Sequence, residues 1–488
     1  MNNIFLNSIT EHSIENNNAI ICSDTLISYS ELSERIFKIK NDLENIYKIQ
    51  ERALVMLVVP RCLKQLELMT TMFSANIAYC NIDYNEKPER INRIISNSPP
   101  HFIITTAEKK QEMLLDNYAL VNNYNDFYVY KCNDDLPLFD MDVAYVLYTS
   151  GTTGIPKGVV ISTEAALNFI YAVEDIFKFE YQAKVLCNTA FNFDISFLES
   201  ITSFYYGLTV VLLDEKSQNN PKKMCLAITE QNIDLVQMTP TLLTNIYLYF
   251  RGKFDSFSSV KRLLIGGEKF PVNLYPHLKE INGLEVYNMY GPTEATVWAT
   301  YKLLDDGEIT IGSSMKGYNV FVVEDGKIVK DRSGEICISG KSVAFGYLND
   351  PEMTQKRFCK DISGYSDMMY KTGDLGIQKD SGEIIYIGRK DTQVKYRGHR
   401  IELGEIETAL KENDKIQDAA VLLNKGDNSQ SESLTCYYTS VSEINSMDII
   451  KSLDNIIPKY MIPKKFIRIK EMPFKSNGKI DRLELERL

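Results

Sequence analysis

Apolar positions along the chain fall into two recurring kinds of segment. Leu54–Val59, Ile77–Ile82, Phe102–Thr105 and Val143–Tyr148 are short, β-branched and nearly free of polar interruption, and they read as buried strands. Glu31–Ile46 and Leu63–Phe73 carry the spacing of amphipathic helices. The alternation predicts an α/β fold, with a large N-terminal domain of layered, mostly parallel sheets and helices. From about Ile309 to Tyr347 the rhythm shifts to short strands broken by Gly, Asp and Ser turns, which predicts a small β-rich module. Gly388–Asp391 is a polar break after the strand-like Ile384–Ile387. Beyond it, a helix over Glu405–Glu412 and a strand over Ala419–Leu423 predict a small C-terminal α+β domain. The expected division is therefore 1–390 and 391–488.

Composition narrows the classes. The length of 488 residues exceeds one ordinary domain, and 44% apolar content with 24% charge suits a folded globular chain. The 54 basic against 65 acidic side chains give a charge of −11, which argues against a nucleic-acid partner. Met1–Asn18 is polar and shows no apolar core, so a secretory signal is not expected. No apolar run approaches the roughly 20 residues of a membrane span. Nine cysteines without a Cys-x-x-Cys pair suit a reducing compartment, and four scattered histidines lack zinc-ligand spacing. A cytoplasmic protein without a membrane partner is expected. One region departs from the acidic balance: Lys459, Lys464, Lys465, Arg468, Lys470, Lys475, Lys479 and Arg482 make a basic tail, suited to a nucleotide or an acidic partner.

The densest chemistry lies at Tyr148-Thr-Ser-Gly-Thr-Thr-Gly-Ile-Pro-Lys157-Gly158. Glycines let the backbone approach a ligand, while hydroxyls, N–H groups and the Lys157 ammonium suit phosphate oxygens. It is not a P-loop, because Pro156 stands where that motif requires glycine and a strand-like Val159–Ser162 follows instead of a helix. Four further clusters follow. Asn288-Met-Tyr290-Gly-Pro-Thr293-Glu294 comes after a strand-like Gly283–Tyr287 and ends in an acid able to hold magnesium. Tyr370-Lys-Thr-Gly-Asp374-Leu375 offers a carboxylate on a turn, an acceptor for ribose hydroxyls. Gly388 to Glu405 is dense in charge and glycine, and Asn477-Gly478-Lys479-Ile-Asp481-Arg482 sets a lysine on a turn near the end.

The identity and order of these clusters resemble the adenylate-forming superfamily, which includes acyl-CoA synthetases, luciferases and the adenylation domains of nonribosomal peptide synthetases. The likeness is strongest to the last of these, and it runs from about Ile27 to Arg482. Phe345 departs from the pattern, since relatives often carry arginine before Gly-Tyr-Leu; a structural rather than catalytic effect is expected. The resemblance implies ATP and Mg2+ as cosubstrate and metal, with a carboxylate attacking the α-phosphorus and pyrophosphate leaving. It implies that Lys479 is the principal catalytic cation and that Thr149, Ser150, Gly151, Thr152, Thr153, Gly154 and Lys157 hold the β,γ-phosphates. Thr293 would contact the α-phosphate and Glu294 would ligate the metal. Tyr290 and Gly291 would lie at adenine, edged by Gly267, Glu268 and Asn288, while Asp374 and Arg389 hold the ribose. Asp391 would be a hinge that exchanges Lys479 for the segment Lys395, Arg397, Gly398 in a second half-reaction, transfer to a phosphopantetheine thiol.

The acid in Asn192-Phe-Asp194-Ile-Ser196 pairs with an α-ammonium group and would be pointless for a fatty acid. Carried over by position, the rest of the pocket is Ile195, Leu198, Gln237, Leu264, Gly266, Met289, Val297 and Trp298, with Lys479 on the carboxylate. That lining is apolar, Trp298 fills space, and the set is similar to pockets of glycine-activating domains. A small amino acid is expected, glycine first and alanine second. No carrier segment or condensation signature is seen, so a free-standing enzyme loading a separate phosphopantetheinylated carrier protein is expected. The alternatives are a D-alanine–carrier ligase, an acyl- or aryl-CoA synthetase, or a non-catalytic nucleotide-binding relative.

Overall fold

The computed structural model describes residues 2–15, 17–124, 126–150, 156–218, 220–305, 307–424, 432–454, 456–474 and 480–487. It separates into two compact units. The larger comprises Met1–Tyr84, Ser98–Tyr148 and Gly158–Lys390; the smaller comprises Asn85–Asn97, Thr149–Lys157 and Asp391–Leu488.

The larger unit is α/β and contains three sheets. In the nine-stranded sheet the strands Glu285–Tyr290, Arg262–Gly266, Leu235–Met238, Lys184–Cys187, Thr209–Leu212 and Asn18–Cys22 lie side by side and parallel. Their apolar runs are buried almost throughout, as parallel strands covered on both faces must be. Antiparallel strands close the edges. The register sets Gln237 opposite Leu264, and Gly266 opposite Met289. With a side-chain period of two, these four residues share one face at the carboxyl ends of three neighbouring strands, where ligands of open α/β sheets bind.

The eight-stranded sheet contains Leu54–Val58, Ala78–Asn81, Phe102–Thr106 and Val143–Thr149, within a residue or two of the predicted runs. The predicted first helix divides into Tyr29–Asn41 and a wider turn, Asp42–Ile46. Ser28 and Glu31 cap its start reciprocally: the Ser28 hydroxyl accepts from Glu31 N, and the Glu31 carboxylate from Ser28 N. The polar N-terminus also forms a helix, Asn2–Ser13, which buries Phe5 edge-on against Phe73 at 5.0 Å. Its apolar face is too sparse to read as periodic.

The β-rich module is larger than Ile309–Tyr347. Tyr318–Glu324, Ser333–Gly340, Met368–Gln378 and Ile384–Arg389 make successive antiparallel ladders of a six-stranded sheet. Asp374 therefore lies within an 11-residue strand instead of on a free turn. Gly373 at φ +76 and a register shift between Leu375 and Gly376 give the segment turn chemistry without ending the ladder. The expected break at Gly388 falls inside a strand as well, because Arg389 pairs with Asp374. Likewise Asn288 and Tyr290 belong to the strand that ends at Tyr290, three residues later than expected.

In the smaller unit, Ile416–Asn424 pairs antiparallel with Ser433–Ser440, and Lys465–Arg468 adds a parallel strand. The helix Leu403–Lys411 packs Ile406 and Leu410 into a core with Val421, Cys436 and Leu453. A hairpin joins Gln393–Tyr396 to His399–Glu402 through Arg397 and Gly398, both at positive φ, as a tight primed turn requires. The helix Pro88–Asn97 belongs to this unit: Arg90 pairs with Glu405 at 2.7 Å in a buried contact, Lys87 with Asp454 at 2.8 Å, and Arg93 with Glu412 at 3.3 Å.

His399 stacks on Tyr460 at 3.6 Å, and burial lowers its pKa from 6.5 to about 4. Between those values the unfolded chain takes up a proton that the folded hairpin refuses. Stability therefore falls as pH drops from 6.5 towards 4, by up to about 3 kcal/mol. Melting curves of the parent and His399→Gln between pH 7.5 and 4.5 test this: the variant should lose that share of the slope, and parallel curves would refute it.

Candidate active site

The residues expected at the substrate in the larger unit gather around a reversal of the chain after the strand Glu285–Tyr290. Thr293–Ala295 makes one tight turn, then Thr296 and Val297 adopt φ of 55° and 67°, and Ala299 N donates back to Tyr290 O at 2.8 Å. The return passes so close that a Cβ on Gly291 would stand 2.3 Å from Val297 O; only glycine fits. This delivers Trp298 over Gly266, where an added Cβ would meet the indole at 2.5 Å. The indole N–H donates to Gln237 Oε1 at 2.8 Å. Leu264, Met289, Val297 and Leu198 are buried in the same core as the indole, and Ile195 approaches the Cβ direction of Gly267, itself at φ +86.

Asp194 precedes Ile195 and accepts its N–H at 2.8 Å while remaining partly open. Its charge reaches Tyr145, whose phenol pKa is pushed far up, by burial first and by Asp194 second. The Tyr145 hydroxyl is buried and, among the described residues, has no hydrogen-bond partner. An orphaned donor beside a carboxylate fits a polar ligand that brings its own acceptor.

A second cluster joins residues distant in sequence. The carboxylate of Asp374 accepts from Tyr290 Oη at 2.7 Å and from Arg389 Nη1 at 2.7 Å, while Arg389 Nη2 also donates to Thr372 O at 3.1 Å. Burial, then the Asp374 charge, raises the Tyr290 pKa well above its ordinary value. Asn288 is held by Thr310 O at 2.7 Å, and Glu268 accepts from the Thr241 hydroxyl. Thr293 is half-buried; Glu294 is buried and accepts from Tyr347 Oη at 2.8 Å.

In the smaller unit, Thr149 ends one strand, Lys157 opens another, and Ser150 Oγ donates to Arg400 O at 2.8 Å. Lys395 sits in the hairpin with Arg397 and Gly398 at its tip, and Asp391 Oδ1 accepts from Gln393 N at 3.3 Å. Gly151, Thr152, Thr153, Gly154 and Lys479 lie outside the described residues.

Sequence reasoning passed over Tyr145 and Glu199, and took Tyr347 only as part of the Gly-Tyr-Leu motif, without a role at the site. Glu199 is fully buried and accepts from Asn188 N, Thr189 N and Gln237 Nε2. It is the one charge in the apolar run Ile195–Ile201, and that was its only signal.

A family model described as AMP-binding enzyme matches residues 10–348. The chain is 30% identical over 486 residues to a dimodular nonribosomal peptide synthase of Bacillus subtilis (strain 168), covering 96% of this chain and 20% of that protein. It is 33% identical over 433 residues to gramicidin S synthase 2 of Brevibacillus brevis, covering 86% of this chain and 10% of that one. It thus spans a fifth or less of these relatives. Among solved structures, a four-domain nonribosomal peptide synthetase bound to AMP and glycine is 29% identical, with a TM-score of 0.67 over 98% of this chain and 36% of that one. The Vibrio cholerae adenylation domain AlmE, solved with glycyl-adenosine-5'-phosphate, shares the fold at a TM-score of 0.83 and 21% identity, over 99% of this chain and 97% of that one. Among the described residues no helix is long and apolar enough to cross a membrane. With more than two-thirds of its length matched by the AMP-binding model, the chain belongs to the adenylate-forming superfamily of AMP-binding enzymes.

Proposed function

We propose that this protein joins a small amino acid, glycine before alanine, to AMP from ATP, and then passes the aminoacyl group to the phosphopantetheine thiol of a separate carrier protein. One observation carries the substrate reading: Trp298 closes directly over Gly266, while Asp194 stands partly open. An α-ammonium group has a carboxylate to meet, and a side chain larger than methyl meets the indole. The glycine and glycyl-adenylate held by two of the similar structures agree with this choice.

In this reading the Tyr290–Asp374–Arg389 cluster receives the nucleoside, with Asp374 accepting from ribose hydroxyls and Gly267, Glu268 and Asn288 edging the base. Thr149, Ser150, Thr152, Thr153 and Lys157 grip the phosphates, Thr293 meets the α-phosphate, and Lys479 bridges it to the substrate carboxylate. Among the described residues no group of three or more His, Cys, Asp or Glu could cage a metal. A single buried carboxylate, Glu294, is what Mg2+ shared with phosphates requires, so the donor set fits. Magnesium, when bound, offsets the negative charge of the phosphates.

Amino-acid-dependent ATP–pyrophosphate exchange across L- and D-amino acids tests the proposal. Glycine should give the highest kcat/KM, and a panel with no amino-acid dependence would overturn it. Asp391→Pro, which fixes φ at the hinge, should leave exchange within about threefold and slow carrier loading by on the order of tenfold or more. Unchanged loading would remove Asp391 from that role.

A further inference from the structure

We propose that Glu199, which is fully buried, positions Trp298 through Gln237 and thereby sets how large an amino acid the enzyme accepts. This deepens the substrate reading above and rests on it.

Gln237 is fully buried, and its amide has three polar neighbours. Nε2 donates to Ile195 O at 3.0 Å and to Glu199 Oε1 at 3.1 Å, while Oε1 accepts from Trp298 Nε1 at 2.8 Å. Two acceptors on one side and one donor on the other allow a single amide sense. A flip would set NH2 against the indole N–H and oxygen against two oxygens. Glu199 is what fixes that sense from behind. Its Oε2 accepts from Asn188 N at 3.0 Å and Thr189 N at 2.8 Å, and its Oε1 from Thr189 Oγ1. Those backbone donors are themselves held, since Arg61 donates to Cys187 O at 2.8 Å and Thr189 O at 2.6 Å. A rigid chain of donors and acceptors thus runs from the strand end at Cys187, through Glu199 and Gln237, to the indole over Gly266.

In Glu199→Gln, one oxygen can keep both backbone N–H groups, which leaves the new NH2 facing the NH2 of Gln237. The Gln237 amide relieves this only by turning out of its present sense, at the expense of its bond to Ile195 O, and the turn weakens the indole's acceptor. The ring is then free to tilt from Gly266. Trp298 is the chain's only tryptophan, so its fluorescence reads this event directly.

The experiment measures Trp298 emission, acrylamide quenching and the exchange panel for the parent, Glu199→Gln, Gln237→Leu and the double variant. We expect emission to shift red and quenching to rise in each variant. We expect kcat/KM for alanine relative to glycine to rise about tenfold, the size of one admitted methyl group. In Glu199→Gln the glycine KM should rise while its kcat stays within about threefold. Because both residues act through one indole, the double variant should match Gln237→Leu alone instead of summing the two effects. If Glu199→Gln fails to fold, Gln237→Leu alone carries the test. Unchanged emission and selectivity in that variant, or additive effects in the cycle, would overturn the inference. A parent with no amino-acid-dependent exchange would overturn the function proposed above, while the emission cycle would still read whether Glu199 holds the indole.

Discussion

Lys479→Ala is expected to lower glycine-dependent ATP–pyrophosphate exchange by on the order of 10²- to 10³-fold. Adenylation brings a carboxylate to a phosphorus already surrounded by negative oxygens, and the charge on that centre grows as the bond forms. A fixed ammonium group placed between the two anions stabilises the transition state more than the separated reactants, which is the condition for a rate effect. The loss should fall mainly on kcat, with the glycine KM moving less. Lys479→Arg should restore only part of it, because a planar fork does not place its charge where an ammonium sits. Melting temperatures measured alongside separate lost chemistry from lost fold. Exchange within about threefold of the parent in a folded Lys479→Ala protein would remove the residue from the mechanism.

The second large effect is expected at Trp298. The indole is buried, is anchored by Gln237 and packs on Gly266. Trp298→Ala removes both the anchor and the bulk, and the pocket should then take leucine- or phenylalanine-sized side chains. Preference for glycine over such substrates should fall by about 10²-fold or invert, as expected when several methylene groups gain room. The same substitution should cost about 3–5 kcal/mol of stability through the cavity it leaves. Trp298→Leu, which keeps part of the volume, should therefore be measured in parallel. A selectivity profile unchanged in both variants would mean that the pocket lies elsewhere.

Much of this arrangement was legible in the chain. Leu54–Val58 and the start of Phe102–Thr106 are apolar runs because these strands are covered on both faces, and their shortness and β-branching favour strand over buried helix. The strand through Asp374 was hidden by its own glycines. Gly373, Asp374 and Gly376 read as a turn, yet the ladder to Ile384–Arg389 continues past them. The pairing of Asp374 with Arg389, 15 residues on, follows from register, and register is not visible in composition. Glu199 escaped for a related reason. A lone acid in an apolar run reads as surface, and only the fold shows the two backbone N–H groups that satisfy it. Trp298 was reached only through the family resemblance, by its position in the pattern, and its being the chain's one tryptophan then drew the argument to its bulk.

The helix Pro88–Asn97 has a bearing on engineering. By contact the helix and the Lys87 just before it keep company with residues some three hundred positions downstream, through Lys87, Arg90 and Arg93. A chimaera spliced only at Lys390 would import foreign partners for those three cations. A mismatch at Arg90, whose carboxylate partner is fully enclosed, could by itself remove about 3–5 kcal/mol. Recombination of this chain with a relative should therefore transplant two pieces, the C-terminal portion and this remote helix, as one cassette.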